Sequence, residues 1–89
     1  MEHTITSALP GVFYRRPSPD APPFVEEGAE VKTGDVVGLV EIMKSFHEVV
    51  TDADGRLLRF LVENEELVDV GQGVAVLETR QAGTGAVSV

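Results

Sequence analysis

Val36-Val37-Gly38-Leu39-Val40-Glu41-Ile42-Met43-Lys44-Ser45-Phe46-His47-Glu48-Val49-Val50 is the stretch whose reading decides the fold. Two conformations compete for it. Ile42, Phe46, Val49 and Val50 fall on one helical face, with Glu41, Lys44, Ser45 and Glu48 free for the other, so periodicity alone permits a helix over 41–50. An internal repeat favours strand-turn-strand instead. Val25-Glu26-Glu27 opens a segment that runs to Gly34 and ends in Val37-Gly38-Leu39-Val40-Glu41. Val62-Glu63-Asn64 opens a second one that runs to Gly71 and ends in Val74-Ala75-Val76-Leu77-Glu78. Val25 to Val62, Gly34 to Gly71 and Glu41 to Glu78 are each 37 positions apart. Residues 36–41 therefore match 73–78, whose small and β-branched side chains read as strand. Two such units related by a two-fold are most simply closed by a hairpin at their seam. Lys44 sits at that seam, which makes its amine a candidate for chemistry and not merely another surface cation.

Outward from the seam, short valine-rich runs alternate with turn signals, the pattern of an all-β chain. Strands are expected over 3–7, 11–14, 24–25, 36–41, 46–50, 55–60, 66–67 and 74–77. Turns are marked by Lys32-Thr33-Gly34-Asp35, Asp52-Ala53-Asp54-Gly55 and Val70-Gly71-Gln72-Gly73. Alternation puts Val37, Leu39 and Glu41 on one face of their strand and Val36, Gly38 and Val40 on the other. Both sets are mostly apolar, which suits a strand covered on two sides or curled into a small barrel.

The halves differ in one place. Gly11 to Val25 spans 14 positions, whereas Gly55 to Val62 spans 7. The first half thus carries an insertion of about 7 residues within 14–23, and Pro17, Pro19, Pro22 and Pro23 stiffen it and remove N–H donors. It reads either as a tolerated surface loop or as a rigid protrusion that contacts something. Residues 80–89 are small, polar and glycine-containing, and read as a frayed tail without assigned function.

Composition narrows the functional classes. The 89 residues carry a net charge of −8, from 15 acidic and 7 basic side chains, which argues against a phosphate-tracking nucleic-acid binder. Cysteine is absent, which removes disulfides and thiolate metal sites and suits a reducing compartment. No basic-then-apolar leader is visible, and no apolar run approaches the roughly 18 residues of a membrane span. His3 and His47 lack metal-ligand spacing with acids, and His47 reads as a strand residue. No nucleophile–base or paired-carboxylate constellation stands out, so no catalytic residue is assigned.

Glu41-Ile42-Met43-Lys44 resembles the Glu-Ala-Met-Lys attachment motif of the biotinyl/lipoyl family, with Gly34-Asp35, His47-Glu48-Val49, Gly55 and Val70-Gly71 as flanks. Phe13-Tyr14-Arg15-Arg16-Pro17-Ser18-Pro19-Asp20-Ala21 is similar to the thumb segment of biotin carboxyl carrier proteins of acetyl-CoA carboxylase. The resemblance covers residues 5 to 78. It implies a flattened β-barrel, or barrel-sandwich hybrid, of two four-stranded sheets with quasi-two-fold symmetry. Lys44 would lie on a hairpin tip, carry covalent biotin, and have both termini at the opposite end. Glu41 and Met43 would serve ligase recognition, and thumb residues Tyr14, Pro17, Ser18, Pro19 and Asp20 would restrain the idle arm. The implied partners are a biotin protein ligase, a biotin carboxylase and a carboxyltransferase, with neither nucleic acid nor membrane. The implied setting is cytoplasmic, and the implied role is a non-catalytic carrier that delivers carboxyl groups to acetyl-CoA or a related acyl-CoA. Residues 1–79 would form the biotinyl domain. Ile42, Ser45 and Phe46-His47 depart from the motif's Ala, hydrophobe and Met-Asn. A lipoyl carrier or an unmodified interaction barrel are the competing readings. Met43 and the thumb favour biotin.

Overall fold

The computed structural model describes residues 1–79 and contains eight strands there: β1 Glu2–Thr6, β2 Gly11–Tyr14, β3 Glu30–Val31, β4 Val36–Ile42, β5 Ser45–Val50, β6 Gly55–Phe60, β7 Glu66–Val68 and β8 Gly73–Glu78. The reading of 80–89 as a frayed tail lies outside the described residues. Pairing is antiparallel throughout and gives two four-stranded sheets, β1-β8-β6-β3 and β5-β4-β2-β7. Exchanging β1 with β5, β2 with β6, β3 with β7 and β4 with β8 turns one strand order into the other. The dyad expected from the sequence repeat is therefore present in the topology.

The register of the duplication shifts once. Elements before the insertion map onto the second half at 44 positions, Gly11 onto Gly55, whereas those after it map at 37, Val36 onto Gly73. The seven-residue difference is the insertion itself. Dyad-related turns are built alike. Asp35 Oδ2 accepts from Lys32 N–H at 2.9 Å, and Gln72 Oε1 accepts from Asp69 N–H at 2.9 Å. Gly34 and Gly71 supply the positive φ that both turns need, 96° and 81°.

Backbone bonds fasten the corners between the sheets. Gly34 N–H donates to Thr51 O at 2.8 Å and Gly71 N–H donates to Ser7 O at 2.7 Å. Ser7 and Thr51 are the dyad-related buried hydroxyls, and each donates within its own turn, to Leu9 O at 2.5 Å and to Ala53 O at 2.8 Å. Burial of these polar groups is tolerated because each hydroxyl is paired. Among the described residues no ladder joins the two sheets at their edges, so the barrel expected from the resemblance is a flattened sandwich stitched at its corners.

Between the sheets lies one core, containing Phe13, Leu57, Leu77, Val31, Val37, Val40 and Val74. Val37 and Val40 are both fully buried although simple alternation puts them on opposite faces. A bulge between Val36 and Gly38 turns the strand between them. The strand expected at 24–25 is not formed. Phe24 N–H instead donates to Arg15 O at 2.9 Å, and Val25 packs on the core from a loop, as its repeat partner Val62 does. The short strand of that region is Glu30–Val31, which pairs with Arg56 and Gly55. The apolar pair Phe24-Val25 marked half-burial there, but not strand.

Candidate functional site at the hairpin tip

Strands β4 and β5 meet in a two-residue turn, Met43-Lys44, with Ile42 paired to Ser45. The helix that periodicity permitted over 41–50 is absent. Both turn residues have positive φ, 49° and 70°, the left-handed backbone of a type I′ hairpin. This turn type suits the right-handed twist of the flanking strands, but it prefers Asn and Gly. Holding Met and Lys there costs about 1–2 kcal/mol each. Met43 makes no compensating packing, since it is 92% exposed. Lys44 is exposed too, and no salt bridge to it occurs among the described residues. The tip thus presents an unpaired primary amine beside an unburied thioether, on a backbone held strained by the two strands below it. The dyad-related position is at the opposite end of the sandwich, where Thr79 N–H donates to Met1 O at 2.8 Å.

Below the tip, cross-strand register aligns Leu67, Val12, Glu41 and Phe46 in one row on the outer face of their sheet. Tyr14, two residues beyond Val12, shares that face. Its hydroxyl donates to Glu41 Oε1 at 3.0 Å, and its ring lies 6.0 Å from that of Phe46 at 55°, a tilted aromatic contact. The bond to Glu41 holds the Tyr14 phenol above its ordinary value of 10.0, with a smaller rise from desolvation. It therefore stays protonated and donates at neutral pH. Phe46 is 58% exposed and Leu67 74%, so the row carries open apolar surface. The sequence reading missed this row. Register alone could have exposed it, since a hairpin turn at 43–44 pairs Glu41 with Phe46.

The insertion is anchored at its root. Arg15 O accepts from Phe24, Arg15 N–H donates to Asn64 Oδ1 at 2.8 Å, and the Arg15 guanidinium lies 4.1 Å above the Phe60 ring. Farther out, Ala21 N–H donates to Ser18 O at 3.1 Å, and Pro17, Ser18, Pro19 and Asp20 are exposed. The root is level with Leu39, the partner of Tyr14, and so lies about 10 Å below the end of β4 at about 3.3 Å per residue. Among the described residues no hydrogen bond joins 17–20 to Met43 or Lys44. The structure thus brings Tyr14 and Glu41 together, and leaves the outer thumb and Lys44 without a direct bond. His47 is a strand residue of β5, opposite Val40, as the sequence implied.

Comparison with known proteins gives the same family from independent directions. The family described as "Biotin-requiring enzyme" matches residues 3–77. The chain is 43% identical over 70 residues to the biotin carboxyl carrier protein of acetyl-CoA carboxylase of Streptococcus pyogenes, covering 79% of this chain and 42% of that one. It is 37% identical over 76 residues to the proteins of the same name from Pyropia yezoensis and Haemophilus influenzae, covering 85% of this chain and 48% and 49% of theirs. The chain therefore spans less than half the length of these curated relatives. Among solved structures, the Kluyveromyces lactis urea carboxylase superposes with a TM-score of 0.73 at 27% identity, over 88% of this chain and 6% of that one. A single-chain, multi-domain long-chain acyl-CoA carboxylase gives 0.70 at 24% identity, over 93% and 8%, a likeness of fold.

Proposed function

The chain belongs to the family of biotin-requiring enzymes, and from that premise we propose that it is a biotin carboxyl carrier with Lys44 as the attachment residue. One observation carries the reading. The amine at the seam of the duplication stands on a strained two-residue turn, exposed and unpaired, where a ligase can reach it. Residues 1–79 are the biotinyl domain in this reading, with the thumb at 14–23.

The site fits an amide-linked cofactor. Lys44 Nζ has no carboxylate to leave unpaired when its charge is lost, among the described residues. Bound biotin supplies a ureido nitrogen that takes up a carboxyl group at one active site and gives it up at another. The residues of this chain catalyse neither step. Their part is to hold the amine clear of the sandwich and to tether what it carries, which raises its local concentration to roughly millimolar on a short flexible link. Met43 and Glu41 serve ligase recognition, Met43 through its bare side chain and Glu41 from its fixed place against Tyr14. The thumb, rooted by Arg15 and stiffened by proline, loses little entropy when it meets the arm through Pro17, Ser18, Pro19 and Asp20.

By similarity to the named relatives, the partners are a biotin carboxylase and a carboxyltransferase, and the acceptor is acetyl-CoA or a related acyl-CoA. A biotin protein ligase loads the chain. No helix of the described residues is long and apolar enough to cross a membrane, and the cytoplasm is the setting we assign. Incubation of the biotinylated chain with biotin carboxylase, ATP and radioactive bicarbonate tests the role. Lys44-dependent label that an acyl-CoA and carboxyltransferase then remove is the expected result. Label that is absent, or that stays when Lys44 is replaced by Arg, refutes it.

A further inference from the structure

The two halves of the sandwich are alike enough that a local departure from the dyad is informative. His3 on β1 and Asp52 in the loop after β5 are bridged, Nε2 to Oδ1, at 2.7 Å. Their dyad counterparts, 44 positions away in either direction, are His47 on β5 and Ala8 in the loop after β1. Alanine cannot bridge to the histidine. A cavity of about 150 Å³ opens in that place, walled by Ala8, Leu9, Val40, His47 and Val49. The corresponding wall in the other half is larger at one position, Leu77 for Val40, and is spanned by the His3–Asp52 contact.

Three features suit this cavity to one occupant. First, it is near the tip. His47 is three residues from Lys44, about 10 Å along an extended strand. A lysine extended by a valeryl amide contains about ten single bonds of about 1.5 Å, which span that distance and can fold back over it. Second, its walls are mainly apolar, with Val40 and Val49 buried at its base. Third, one wall is an open strand edge. β5 is an outer strand of its sheet, and the two-residue turn makes Ile42 and Ser45 a hydrogen-bonded pair. By alternation, His47 bonds to Val40, while Glu48 turns its N–H and C=O away from β4, toward the loop after β1. An N–H and a C=O side by side are what a cyclic urea complements, and an apolar base is what a sulfur-containing ring fills.

Resting on the carrier reading above, we propose that the cavity between Ala8–Leu9 and the β5 edge is a resting site for the biotin ring on Lys44, on the face opposite Tyr14 and away from the thumb root. The ring lies against Val40 and Val49, and its urea pairs with the Glu48 backbone. The missing acid at position 8 is what leaves the site open.

The experiment compares amide NMR spectra of the ¹⁵N-labelled chain with and without biotin on Lys44, in the native sequence and in Ala8→Asp. That substitution restores the acid found at the dyad-related position and lets it bridge to His47. In the native chain, biotinylation is expected to shift the amides of Ala8, Leu9, Glu48 and Val49. In Ala8→Asp those shifts are lost while the ones at Met43 to Ser45 remain, and streptavidin captures the biotin faster. Intact mass verifies loading in each sample. A loaded native chain whose changes are confined to 42–46, or fall on 17–20 without reaching 8–9 and 48–49, overturns the resting site while leaving the carrier reading in place. A chain that gains no mass with an active ligase refutes the carrier reading, and the resting site with it.

Discussion

The double substitution Met43→Asn with Lys44→Gly isolates the strain that the hairpin tip stores. Both native residues have left-handed φ, 49° and 70°. Each such residue with a Cβ carries a penalty of about 1–2 kcal/mol, which glycine escapes and asparagine largely offsets by local hydrogen bonding. The gross relief is therefore about 2–4 kcal/mol, less about 1 kcal/mol for the freedom that glycine gains in the unfolded chain. Little is lost from packing, because Met43 is 92% exposed. The expected net gain is about 2 kcal/mol, or about 8–16 °C in Tm for a domain of this size. Lys44→Arg, which keeps the Cβ and the charge, should leave Tm nearly unchanged. Urea unfolding monitored by circular dichroism gives the free energy, with calorimetry as the second readout. An Asn-Gly hairpin no more stable than the native one would show that positive φ is not costly here, and the retention of Met and Lys for recognition would lose its physical basis.

Other perturbations test the scaffold and the face beside the tip. A Cβ at Gly38 would meet the Phe13 ring at 2.5 Å and Tyr14 O at 2.9 Å, whereas the dyad-related pair is Ala75 with Leu57; Gly38→Ala should destabilise by about 1–3 kcal/mol, and Phe13→Leu should recover the part due to the ring in the double variant, measured as a double-mutant cycle. Tyr14 is the only tyrosine, so tyrosinate absorbance reads it alone: its midpoint should lie above 10.0 and fall toward it in Glu41→Ala, which removes the acceptor. Because the folded value is the raised one, the stability from this bond is complete below the unfolded value and is lost as pH climbs through the folded value; an unmoved midpoint in Glu41→Ala contradicts the bond. Excising 17–22 should leave cooperative unfolding within about 1 kcal/mol of the native chain while slowing carboxyl transfer, since exposed loops tolerate length changes; global unfolding would make the thumb part of the core.

The duplication made most of this fold legible. A fixed 37-position offset chose strand over helix at 41–50, and the hairpin follows from closing two equal units. Turn chemistry at Gly34 and Gly71 was readable because their left-handed backbone favours one residue type. Phe24 and Val25 were misread as strand because apolar pairs signal burial, and a loop closed by the Phe24–Arg15 bond leaves both half-buried without strand pairing. The bulge at Val36/Gly38 was invisible for a related reason: alternation in sequence assumes an unbroken pleat. At the site, position identified Lys44, but the Tyr14–Glu41–Phe46 cluster requires cross-strand register, and the His47 cavity requires comparing two dyad-related loops, one of which lacks the other's acid.

Peptide-mapped mass spectrometry of the chain after co-expression with a biotin protein ligase bears most directly on the central claim. One amide-linked biotin is expected, on the peptide that contains Met43 and on Lys44 within it, with Lys32 unmodified. Biotin on Lys32, a lipoyl mass at Lys44, or an unmodified chain beside an active ligase would contradict it.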